Sequence, residues 1–124
     1  MERGLSMALI KKKMTQYGFE AEYWKISRIS IDTIKEEVCF TLNLYLNKEN
    51  QTRELEDYTF GSLLLDPLEF KPLYNKYFRK DKGSEYKDIY TACYMFAKDN
   101  IDFFNDAADD PEEVYYNTLR YAKG

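Results

Sequence analysis

The sequence predicts an α+β domain, a small antiparallel β-meander of three to four strands followed by about three helices packed on it. Three observations predict it. In residues 37–47, Val38, Phe40, Leu42, Leu44 and Leu46 fall on one face and Cys39, Thr41, Asn43 and Tyr45 on the other. That alternation is the mark of a strand with one buried side. In residues 86–104, Tyr86, Ile89, Tyr90, Cys93, Tyr94, Ala97, Ile101 and Phe104 recur at steps of three and four, the stripe of an amphipathic helix. Strand patterns also fill the first half and helix patterns the second, an order that segregates sheet from helices.

Taken in order, residues 9–14 read as a short strand with an exposed Lys11-Lys12-Lys13, and Gln16-Tyr17-Gly18 supplies a turn. Residues 19–31 read as the next strand. Phe19, Ala21 and Tyr23 point one way and Glu20, Glu22, Trp24 and Ile26 the other. The apolar side switches at Trp24, which calls for a bulge or a second buried face. Asp32-Thr33 begins a turn into the strand at 37–47, and Asn47 to Gln51 make a polar turn. Residues 54–60 return as a strand with Tyr58 and Phe60 on one face.

Gly61 marks the change to helix. In Asp66-Pro67-Leu68-Glu69 the Asp caps, the Pro suits the first helical position and the Glu reaches back. Pro72 limits that helix to about a turn, or restarts it. Residues 73–79 look helical, and Lys82-Gly83 ends them. Ser84 caps the long helix, expected to run to about Asp106. Asp110-Pro111-Glu112-Glu113 opens a last helix carrying Val114, Tyr115, Leu119 and Ala122.

The length of 124 residues suits one domain. We place it at residues 7–124, the sheet in 7–60 and the helical part in 61–124. Residues 1–6 read as a non-native or disordered extension. Glu2-Arg3-Gly4 is what a purine-rich ribosome-binding site ahead of Met7 would encode. No secretory signal and no membrane-length apolar run is read in the sequence.

There is no histidine, which removes Ser-His-Asp and Cys-His catalysis, HExxH zinc sites and a histidine switch. The net charge is −4 and the pI about 5.0, against the basic excess of most nucleic-acid binders. Cys39 and Cys93 fit no metal spacing and read as small buried hydrophobes. No nucleophile elbow, phosphate loop or dinucleotide fingerprint is present. No enzyme, cofactor, small-molecule substrate or membrane partner is expected.

Three groups of residues invite a binding role. Residues 99–113 hold Asp99, Asp102, Asp106, Asp109, Asp110, Glu112 and Glu113 with no basic residue. Their ordinary reading is a solvated acidic face; a divalent cation is the alternative, without EF-hand spacing. Asp102 and Asp106 would sit at the C-terminal end of the long helix, where its dipole disfavours anions. Residues 71–87 carry Lys71, Lys76, Arg79, Lys80, Lys82 and Lys87 among Tyr74, Tyr77 and Phe78. That mixture reads as a charged helix face, as a patch for single-stranded nucleic acid, or as the partner of the acidic stretch, within one chain or between copies. Finally, aromatics make up 17% of the chain, which reads equally as a protein-binding surface and as a small domain filling a thin core with large side chains. Trp24, Tyr45 and Tyr58 are candidate contacts, as are Tyr74, Tyr77, Arg79, Lys80, Asp99, Asp102 and Asp106.

Ala8-Leu9-Ile10-Lys11, then Tyr17 to Ile26, then Ile29-Ser30-Ile31-Asp32, and the alternating run from Val38 to Asn47 with its charged turn to Arg53 form one pattern. It resembles a group of small proteins encoded in tail and baseplate clusters of phages and prophages of Gram-positive bacteria. Those proteins open with Met-Ala-Leu, here Met7-Ala8-Leu9, and commonly carry histidine where Trp24 stands. The likeness covers residues 7–60. It implies a structural or accessory role in a phage tail, baseplate or phage-like particle, with phage structural proteins and further copies as partners. The place of action would be the virion, or the host cytoplasm during assembly. The alternatives are an effector that binds a host protein through the acidic face, and a nucleic-acid accessory protein using residues 71–87.

Overall fold

Residues 8–79 and 88–110 are described by the structure, a computed structural model. The expected extension at 1–6, the Ser84 cap, Lys80 and the last helix after Asp110 lie outside them. Four strands follow one another before any α-helix forms: β1 (Leu9–Met14), β2 (Glu20–Asp32), β3 (Glu37–Tyr45) and β4 (Glu56–Gly61). Each pairs antiparallel with the next, as the meander requires. A fifth strand, β5 (Ala108–Asp109), returns after the helices to the outer side of β1. The sheet order is β4-β3-β2-β1-β5, one strand more than the sequence predicted.

The turns have chemical causes. Gly18, at φ +90, takes the left-handed conformation the β1–β2 hairpin needs, which costs a glycine little. Between β2 and β3, Asp32 Oδ1 accepts the Ile34 and Lys35 amides at 3.0 Å each, and Glu36 takes φ +57. The Asp32–Ile34 bond makes an Asx-type turn, where the sequence places a turn at Asp32-Thr33.

The switch at Trp24 resolves into both expected devices. Tyr23 is buried on one side of the sheet and Trp24 on the other. Beyond them the β2–β3 register slips by one residue between Ile26 and Arg28. The slip brings Ile29 and Ile31 to the side of Trp24 and Ile26, opposite Phe40 and Val38. A strand of changing parity therefore keeps one continuous apolar face. At the slip the Ile26 amide donates to Tyr94 Oη (2.8 Å), so a buried N–H finds its acceptor on a helix.

Two α-helices among the described residues cover that face, α1 (Pro67–Tyr77) and α2 (Ile89–Asn100). Asp66 caps α1 by accepting the Leu68 amide at 2.8 Å. Pro72 neither ends nor restarts the helix, which runs through it. Its missing N–H falls opposite Leu68 near the helix start, where Leu68 and Pro72 are exposed, so no buried carbonyl is orphaned. Phe70, Tyr74 and Tyr77 turn inward. The cap of α2 is Asp88, which accepts from the Tyr90 amide and from Thr91 Oγ1 (3.1 Å).

The long helix stops at Asn100, not near Asp106. Asn100 Nδ2 donates to Phe96 O at 3.2 Å, Ile101 is extended, and Asp102–Phe104 forms a 3-10 turn. Stopping there removes Asp102 and Asp106 from the negative end of the helix dipole. It also places Phe103 and Phe104 edge-on to Trp24, with ring centroids 5.6 and 5.1 Å away. Phe96 centres the rest of the core, 4.8 Å from Phe60, 5.4 Å from Tyr77 and 5.8 Å from Phe78. Such ring pairs contribute about 0.5–1.5 kcal/mol each beyond burial.

Candidate functional site

Much of the chain's aromatic content goes to the core. Trp24 is 2% exposed and donates its indole N–H to Lys11 O at 2.9 Å. Tyr74 and Tyr77 are buried in the layer between α1 and the sheet, with Phe78 beside them. Burial removes Trp24, Tyr74 and Tyr77 from the surface contacts expected of them, and Tyr74, Tyr77 and Phe78 present no ring on which a base could stack. Tyr45 is half-buried on the side of the sheet away from α1 and α2. Tyr58, on the outermost strand β4, keeps 37% of its surface exposed.

Three carboxylates of the acidic stretch pair with lysines that lie outside residues 71–79. Asp106 pairs with Lys11 at 2.6 Å, Asp109 with Lys98 at 3.3 Å and Asp110 with Lys48 at 3.4 Å. Asp99 accepts the Tyr77 hydroxyl, tying α2 to α1. Asp102 is exposed. Among the described residues no acid of 99–110 pairs with a cation of 71–79. Lys71 and Arg79 go instead to Glu36, at 3.3 and 2.9 Å. The two patches therefore do not meet within the described chain. The Lys11 ammonium beside Asp106 holds that carboxyl below its usual range. No group of three or more His, Cys, Asp or Glu among the described residues is arranged to hold a metal ion.

Groups with chemical potential are committed elsewhere. Burial, with Asp88 adding to it, pushes the Cys93 thiol up to about 12, so it stays protonated and a poor nucleophile. Both cysteines are free. Ser62 Oγ accepts the Val38 amide at 2.9 Å. Asp110, buried, accepts the Tyr23 hydroxyl at 2.5 Å. A hollow of about 480 Å³ between the β2–β3 turn and α1 is lined by Ile31, Tyr74, Phe78 and Ile89. The Glu36–Arg79 pair also lines it, so its charge is already neutralised.

The feature that sequence reasoning missed is apolar. Leu63, Leu64 and Leu68 are 78%, 84% and 83% exposed, directly after β4 and across the start of α1. A leucine run ahead of a capped helix ordinarily reads as core. Large aliphatic side chains grouped on a surface mark a place where another molecule sits. The hint in the sequence was the absence of any basic residue across 54–70.

A second polar hollow, of about 590 Å³, lies beside the same strand. It is lined by Gln16, Glu54, Leu55, Glu56 and Asp57. Lys13 Nζ and the Gln16 amide both reach Glu56, at 2.5 and 2.8 Å, and hold its carboxyl below the usual range. What this arrangement offers is surface: an outermost strand, an acidic hollow and three exposed leucines.

Compared with protein-family models, curated proteins and solved structures, the chain matches none of them.

Proposed function

We propose that this chain is a structural or accessory protein of a phage tail, baseplate or phage-like particle, and that it works by binding other proteins, with no covalent step. The particle assignment is supported by the pattern of residues 7–60: the Met7-Ala8-Leu9 opening, the glycine turn, the aromatic–Lys–Ile segment and the long alternating strand. The observation that carries the binding role is the exposed aliphatic group Leu63, Leu64 and Leu68 beside the outermost strand. Exposing three leucines to water is unfavourable for an isolated molecule and favourable once a partner covers them. The partners are neighbouring proteins of the particle and further copies of this chain. The place of action is the virion, or the host cytoplasm during assembly. Among the described residues no helix is long and apolar enough to cross a membrane.

The test is to purify the particles from a host that makes this chain and to quantify it by mass spectrometry across a density gradient. The chain should peak with the particle at a fixed ratio to its major proteins. Recovery only in complex with a host enzyme, away from the particle, would replace this reading with that of an effector.

A further inference from the structure

We propose that the outer edge of β4, with the leucines that follow it, is a docking site for an extended segment of a partner protein that alternates basic and aliphatic residues and adds to the sheet as a further strand. This rests on the protein-binding reading above and specifies its surface and the partner's chemistry.

The edge itself is the first argument. β4 pairs with β3 from Glu56↔Leu44 to Gly61↔Cys39 with no register slip, and no strand lies beyond it among the described residues. Tyr58, Thr59 and Phe60 favour strand, and β4 has no proline and no lysine. An outermost strand without such devices is a template for pairing.

Charge selects the occupant. Residues 54–70 hold five carboxylates (Glu54, Glu56, Asp57, Asp66 and Glu69) and no Lys or Arg. Glu56 is matched by Lys13, whereas Glu54, Asp57 and Glu69 pair with no cation among the described residues. β4 itself carries Glu56 and Asp57, and a second copy added parallel on this edge would set Asp57 beside Asp57 and be repelled. Nucleic acid and an anionic lipid surface would be repelled as well. A basic strand is attracted.

Register gives the partner's pattern. Tyr58 and Phe60 lie opposite Leu42 and Phe40, on the side that α1 and α2 cover; Asp57 and Thr59 lie opposite Asn43 and Thr41, on the other side. Side chains of an added strand alternate likewise. Its aliphatic residues therefore meet Tyr58 and Phe60, and its basic residues meet Asp57. Leu63, Leu64 and Leu68 extend the apolar contact past the end of β4. Main-chain hydrogen bonds supply affinity and the alternating side chains supply specificity.

The probe is a short fluorescent peptide of alternating lysine and valine, titrated with the full chain and read by anisotropy. It should bind, more weakly as salt rises, and Asp57→Lys should weaken it by about ten-fold or more. The same peptide N-methylated at every residue, unable to donate backbone hydrogen bonds, should lose a comparable factor. A glutamate–valine peptide should not bind. Glu54→Lys provides a second exposed variant should Asp57→Lys fail to fold by circular dichroism. Absence of binding, or binding indifferent to both variants and to N-methylation, overturns the proposal. So does a dimer in solution that Leu64→Ser dissociates, since that would make a second copy the occupant. Particle purification separates the two levels. Peptide binding by a chain absent from particles defeats the particle assignment alone. An Asp57→Lys chain that stays in particles and never binds peptide defeats the docking edge alone.

Discussion

The two edges of the sheet are treated in opposite ways. The β1 edge carries Lys11, Lys12 and Lys13, its register with β2 slips between Ile10 and Lys13, and β5 pairs onto Leu9 and Ile10. The Asp110 amide extends that cover by donating to Ala8 O at 3.1 Å. Lysines, an irregularity and an added strand are three separate ways of discouraging edge pairing, and β1 has all of them. The β4 edge has none of the three. It carries Glu56, matched by Lys13, and Asp57, which pairs with no cation among the described residues; an unpaired carboxylate there favours a basic strand over an acidic one. Protection of one edge only would direct an added strand to one place, with one polarity of charge.

The largest expected effect comes from breaking the protected side. Trp24 packs edge-on against Phe103 and Phe104 and holds Lys11 O through its indole N–H. Trp24→Ala should cost about 3–5 kcal/mol by denaturant unfolding. Amide exchange should accelerate in β1 and β5 well before it does in β4. Equal acceleration in both would mean that Trp24 supports the whole sheet and that the edges are not independent. Next comes Tyr94→Phe, which removes the acceptor of the Ile26 amide at the register slip. A buried N–H left without its partner costs about 1–3 kcal/mol. Because the slip lies on the β2–β3 side, this loss should appear in exchange at β2 and β3. A change below about 0.5 kcal/mol would show that the Ile26 amide is satisfied otherwise.

How far the sequence foretold these regions depends on where the deciding contact lies. β1, β3 and the Asp66-Pro67 helix start are written locally, in alternation and capping chemistry, and all three stand close to where the sequence placed them. β5 was not foreseen. Its two residues, Ala108 and Asp109, carry no alternation and sit in an acidic run; pairing with a strand a hundred residues earlier creates it. The end of α2 was misplaced for the same reason. Apolar spacing continues through Ile101 and Phe104, but Phe103 and Phe104 are claimed by Trp24 on the sheet. Candidate contacts fared likewise. Residue type alone makes Trp24, Tyr74 and Tyr77 candidates, and type does not distinguish a ring facing solvent from one packed in the core. Leu63, Leu64 and Leu68 carry no mark of exposure in the sequence, since leucine usually lies inside and exposure is a property of the folded chain.

One contact spans the two edges, and pH isolates it. Lys13 of β1 bonds Glu56 of β4. The Lys13 ammonium first, and then the Gln16 amide, hold the Glu56 carboxyl below its ordinary 4.5. A carboxyl with a depressed folded value stabilises the fold above its unfolded value and loses that contribution as pH falls through the folded one. Asp106 beside Lys11 acts in the same direction from an ordinary 3.8. Unfolding midpoints should therefore hold steady above about pH 5 and fall on further acidification. Glu56→Gln should lower the midpoint slightly at neutral pH and flatten part of that fall. An unchanged acid profile would show that the Lys13–Glu56 pair does not couple the edges.

The smallest effect on stability is the most informative about the open edge. Leu64 and Leu68 are almost fully exposed, so replacing either by serine removes little contact within the chain. Surface changes of this kind stay within about 0.5 kcal/mol. Leu44→Ala, on the buried side of β3, should cost about 2–5 kcal/mol in the same assay. The pair of results separates two explanations for exposed leucines. If Leu64→Ser leaves the unfolding midpoint in place but lowers the occupancy of the chain in purified particles, those side chains serve a partner, not the fold. If Leu64→Ser destabilises the isolated chain as Leu44→Ala does, the leucines are structural and the case for an open, partner-seeking edge loses its apolar half. Stability measured without a partner is thus the control that makes the binding result interpretable. A surface kept for another molecule contributes nothing until that molecule arrives.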